Sequence, residues 1–107
     1  MNKLFDIKYV DLDLNTKEKF ETIRHLAKLA QDRLIDVDKY VEDVKAREAM
    51  STTGIGDGVA IPHAKSAYVK FPTVIVGKSS KGIDWESLDD EPVNLVFLIA
   101  VPEGEGN

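Results

Sequence analysis

The chain has 107 residues and a mass of 11.9 kDa, with 43% hydrophobic and 31% charged side chains, seven Gly and four Pro. That is the size and composition of one small globular domain. With no Cys, a disulfide framework, a thiolate nucleophile and a Cys-ligated zinc are excluded, and a cytoplasmic location is the default expectation.

Near the N-terminus Val10, Leu12 and Leu14 alternate with Asp11 and Asp13, the period of a half-buried strand. Asn15 with Glu18 three residues later resembles a capping box, and Phe20, Ile23, Leu26, Ala27, Ala30 and Leu34 then recur at three and four, which predicts an amphipathic helix. Asp36 or Asp38 can cap a second helix, whose stripe of Val37, Tyr40, Val41 and Val44 runs out near Met50. The segment from Ser51 to Gly58 reads as a loop, because alternate glycines and hydroxyl side chains oppose a continuing helix. Val59 to Ile61 is a short extended piece, held out of helical geometry by Pro62. Thr73 to Lys78 and Val93 to Val101 read as strands, the second apolar on both faces and so central in a sheet. The longest apolar run, residues 95–101, is far short of a membrane span, and the charged start lacks the apolar stretch of a signal peptide. The pattern is that of an α/β domain over residues 1–107, a sheet with helices on both faces.

Charge is unevenly placed. Residues 1–81 hold all fourteen Lys and Arg against twelve acids, whereas residues 82–107 hold seven acids and no base. No basic stripe interleaved with aromatics exists to grip nucleic acid. The acidic end suits solvated turns or, collectively, a basic protein partner.

Two histidines are available for chemistry. His25 lies inside the first helix and reads as a boundary side chain. His63 follows the Gly-rich loop and Pro62, with Lys65 and Lys70 nearby; a loop histidine in this position is either functional or a satisfied structural side chain. Arg47, in the last turn of the second helix, suits the helix dipole on position alone. The Gly-x-Ser-x-Gly elbow that a Ser/His/Asp triad on an α/β-hydrolase needs is absent, and two histidines without cysteine fall short of the three or four ligands of a zinc site. Gly54, Gly56 and Gly58 match neither a dinucleotide fingerprint nor a Walker loop. They form either a tight turn or a nest of N–H groups for an anion. Nucleophilic imidazole, donor-rich loop and arginine would together suit phosphoryl transfer to histidine.

The run Arg47-Glu48, followed by Ser51-Thr52-Thr53-Gly54-Ile55-Gly56-Asp57-Gly58-Val59-Ala60-Ile61-Pro62-His63-Ala64-Lys65, resembles the active-site signature of enzyme IIA domains of the bacterial sugar phosphotransferase system, fructose/mannitol class. Gly82-Ile83-Asp84-Trp85 and the segment Glu91 to Gly104 are similar to the fructose-type members. The resemblance implies a mixed sheet between helices. It also implies that His63 accepts a phosphoryl group from a histidine-containing phosphocarrier protein and passes it to a IIB component for sugar uptake, with Arg47 beside the phosphorylated ring and no metal or cofactor. A regulatory module of the same fold is the alternative. Members of the family continue with a further histidine and a pair of C-terminal helices, so a chain truncated relative to the family is expected, with one face of its last strand left to cover.

Overall fold

In the computed structural model, which describes residues 3–104, six strands and two α-helices follow one another as β1 (Val10–Asp11), α1 (Lys19–Leu29), α2 (Val37–Met50), β2 (Gly54–Gly56), β3 (Val59–Ala60), β4 (His63–Ser66), β5 (Thr73–Ile83) and β6 (Val93–Pro102). The strands form one mixed sheet in the order β1-β5-β6-β3-β2, with β4 also paired to β6. β5 and β6 are antiparallel, whereas β3 and β4 lie end to end along the other side of β6, both parallel to it. Central placement of β6 follows from its sequence, since both of its alternations are apolar.

Register assigns the two faces. Ile75 opposes Leu98, Gly77 opposes Val96 and Thr73 opposes Ala100, and all six are buried. The helices pack on this face: a Cβ on Gly77 would meet Leu26 of α1 and Leu14, and Ser66 of β4 donates to the Asp43 carboxylate of α2 at 2.6 Å. Ile23, Leu26, Ala27, Tyr40, Val41 and Val44 fill the layer between. Val74, Val76, Leu95, Phe97, Ile99 and Val101 occupy the opposite face, are only half-buried, and carry no helix among the described residues. The sheet is mixed and helix-backed as expected, but the helices expected on both faces lie on one side only among the described residues, because each has a single apolar stripe and both stripes meet the same alternation of β6.

Beyond α2, β5 runs to Ile83, five residues past the expected end, and before α2 the element bounds depart from the sequence pattern in three places. β1 keeps only two residues, Leu12 being exposed and Leu14 turning into the core. α1 starts three residues later than the Asn15 signal: Glu18 is its cap, accepting from the Glu21 N–H, while Glu21 reaches back to the Lys17 N–H. It ends at Leu29, and the apolar period continues to Leu34 through a 3₁₀ turn at Gln31–Arg33. α2 has the expected bounds, with Asp36 accepting from Lys39 N–H.

Candidate active site

Pairing with β6 makes the segment after Pro62 a strand. His63 stands opposite Ile99 and Lys65 opposite Val101, while the Ile99 N–H donates to the Pro62 carbonyl at 3.0 Å. Successive side chains of β4 therefore alternate: Ala64 and Ser66 are buried toward α2, and His63 and Lys65 project from the face without helices. The His63 ring is half-buried, and its Nδ1 lies 2.8 Å from the Ile61 carbonyl oxygen. A carbonyl only accepts, so Nδ1 carries the proton and Nε2 keeps its lone pair. The backbone two residues upstream thus sets the tautomer and leaves Nε2 as the ring nitrogen without a proton.

That carbonyl is itself held in place. Ile61 N–H donates to the Thr53 carbonyl at 3.0 Å, and Thr53 is fastened to Glu48 of α2 by two bonds, from its N–H at 2.8 Å and its hydroxyl at 2.6 Å. The Glu48 side chain is almost fully buried, with the Lys19 ammonium 3.5 Å away as counter-charge, and the Trp85 indole N–H approaches the Thr53 hydroxyl at 3.4 Å. A buried carboxylate needs such a set of donors. Glu48 thereby anchors the segment that carries the Ile61 carbonyl, a part that the sequence pattern leaves unassigned. Its signal was position, four residues after Val44 on the apolar stripe, where an acid has to find partners inside.

Arg47 lies one residue earlier on α2 and is partly exposed. Its Nη1 donates to the Ser51 carbonyl at 2.9 Å, closing the helix end. Among the described residues no carboxylate lies within ion-pair distance of it, and no hydrogen bond joins it to His63. Arg47 and His63 are linked through backbone instead, by way of Ser51, Thr53 and Ile61.

Gly54, Gly56 and Gly58 belong to a β-hairpin, and the loop expected over residues 51–58 ends at β2. Asp57 and Gly58 make its turn with φ of 56° and 77°, the positive pair that a two-residue hairpin loop of the I′ type requires. A Cβ on Gly54 would come within 2.3 Å of the Ser87 hydroxyl, so that glycine admits the acid-rich segment, whose Leu88 N–H bonds the Gly54 carbonyl. The Asp89 carboxylate accepts from the Asp57 N–H at 3.0 Å beside Gly56. Gly58 accepts from the N–H of Asn94, five residues before Ile99 along β6. At the rise of a strand the turn is then on the order of 17 Å from His63, and each glycine has a backbone or packing reason of its own.

His25 stands apart, its Nε2 2.7 Å from the Asp11 carboxylate at the far edge of the sheet. That bond, with a second from the Asp13 N–H, holds the Asp11 carboxyl below its ordinary value.

Residues 3–107 match the family described as phosphoenolpyruvate-dependent sugar phosphotransferase system, EIIA 2, and the chain belongs to that family. It is 43% identical over 100 residues to the fructose-specific EIIABC component of Bacillus subtilis, covering 92% of this chain and 16% of that protein. It is 38% identical over 102 residues to the fructose-specific EIIA component of Haloferax volcanii, covering 94% of this chain and 66% of that one. Among solved structures, nitrogen regulatory protein IIA-Ntr from Neisseria meningitidis superposes with a TM-score of 0.88 at 28% identity, over 95% of this chain and 70% of that one. The chain therefore spans about two thirds of the Haloferax component's length and about a sixth of the Bacillus protein's.

Proposed function

We propose that this protein is a histidine phosphoryl carrier of the fructose type, in which His63 accepts a phosphoryl group from the phosphohistidine of a small carrier protein and hands it to a IIB component. The observation that carries the reading is the 2.8 Å contact of His63 Nδ1 with the Ile61 carbonyl, which leaves a lone pair on Nε2 of a ring presented at the protein surface. The Nε2 lone pair forms a bond to phosphorus as the P–N bond of the donor breaks, and its electron pair returns to the donor ring nitrogen. The proton on His63 Nδ1 stays where it is, and the Ile61 carbonyl stabilises the positive charge that the ring acquires. Transfer to the IIB component runs the same exchange in the other direction. The donor is already a reactive phosphoramidate, so the reading invokes neither metal nor cofactor.

Arg47 is proposed to steady the phosphoryl oxygens. Its guanidinium has donors left over after the Ser51 bond, and a planar fork fits two of those oxygens at once. The identity to fructose-specific components supports transport as the context. The likeness to IIA-Ntr supports a second reading, in which the phosphorylation state of the same histidine is read by a regulatory partner. Incubation of the phosphorylated protein with a fructose-class IIB domain separates the two: rapid loss of the phosphoryl group to IIB is expected, and retention would favour the regulatory reading.

A further inference from the structure

We infer that Lys65 supplies a second positive charge to the phosphoryl group on His63. The inference rests on the proposed reaction at His63 and adds a residue to it. β4 is a regular strand in register with β6, His63 opposite Ile99 and Lys65 opposite Val101. Side chains two apart on a strand stand on the same face, with Cα atoms about 6.6 Å from each other. The four-carbon stem of Lys65 can bridge that distance to a phosphoryl group on Nε2. Around the ring this face is otherwise apolar, with Ile99 opposite and Val74 on the next strand.

Lys65 is exposed and, among the described residues, its ammonium enters no ion pair and no side-chain hydrogen bond. By contrast, Lys8, Lys19 and Lys45 each have a carboxylate partner. The acid nearest by register is Glu103, whose N–H donates to the Ser66 carbonyl, and it makes no ion pair within 4.0 Å of Lys65. An unengaged cation beside a group that gains a doubly charged phosphoryl substituent is placed to stabilise it. The ordering is simple: the Ile61 carbonyl holds the ring, Arg47 comes from the helix end, and Lys65 approaches from within the strand.

The test compares Lys65→Gln and Lys65→Arg with the parent protein, all carrying His25→Ala so that one histidine remains. Phosphoramidate as a small donor and the phosphorylated carrier protein are used in parallel. Lys65→Gln is expected to slow phosphorylation by both donors by about tenfold, a smaller effect than removal of a dedicated buried donor, and to raise the second ionisation of the phosphoryl group in a 31P NMR titration. Lys65→Arg should keep both close to the parent, with thermal unfolding unchanged in either variant. Rates within twofold of the parent and an unmoved titration for Lys65→Gln would overturn the inference. So would slowing confined to the carrier protein, which would make Lys65 a docking residue. A parent protein that neither donor phosphorylates would instead remove the reading of His63, and the role of Lys65 with it.

Discussion

The tautomer of one imidazole is the smallest feature on which the proposed chemistry turns, and three bonds stand behind it: His63 to Ile61, Ile61 to Thr53, and Thr53 to Glu48. Replacing Glu48 by Gln removes the charge that Lys19 and the two Thr53 donors complete. A loss of about 1–3 kcal/mol of stability is expected from the mismatched buried donors, with slower phosphorylation of the protein that remains folded; chemical denaturation and a transfer assay on the same variant check both. Arg47→Lys keeps a positive charge and loses the fork, so a loss of roughly tenfold to a thousandfold in transfer rate is expected. Thermal unfolding should stay near the parent, and an unchanged rate would take Arg47 out of the site. His25 and Asp11 mark the limit of reading chemistry from residue type, a carboxylate–imidazole pair at the far sheet edge. Because the His25 bond holds Asp11 below its ordinary value, its contribution to stability is present above the unfolded carboxylate range, near pH 4, and is lost as pH falls through the lower native value. Asp11→Asn should therefore destabilise at neutral pH, with a deficit that closes in acid, as urea titrations across that range would record.

At the scale of elements, legibility tracked how much of a segment's structure is local. α2 was readable end to end because cap, stripe and stop all lie within its own residues. β6 was readable because both of its alternations are apolar. β4 was not, since His63-Ala64-Lys65-Ser66 has neither apolar period nor β-branched bias and becomes a strand only by pairing with β6. The hairpin of β2 and β3 had a local signal in Asp57-Gly58 that was absorbed into a loop reading of the surrounding glycines. Its consequence for the site is testable: Gly54→Ala drives a methyl group against Ser87, and a cost of about 1–3 kcal/mol from overpacking is expected. Phosphorylation of the folded fraction should proceed at the parental rate; a large loss of rate at unchanged stability would return Gly54 to the phosphate-binding set. Residue type suggests Arg47 and His63 as partners and the family signature pairs them, but their connection passes through backbone groups that no spacing rule encodes.

Over the whole molecule, the two faces of the sheet differ in cover. One is sealed by α1 and α2, and the other presents Val74, Val76, Leu95, Phe97 and Ile99 on the face from which His63 projects. A half-covered apolar surface of that breadth favours association, so light scattering of the 107-residue chain should show concentration-dependent self-association that Val76→Lys reduces. The central claim is narrower, that His63 alone becomes the phosphorylated group. It is tested most directly by intact mass measurement after incubation with the phosphocarrier protein, its kinase and phosphoenolpyruvate. A gain of one phosphoryl group, labile in acid and stable in base, is predicted for the parent and for His25→Ala and should be absent from His63→Ala; the same gain in His63→Ala would contradict it.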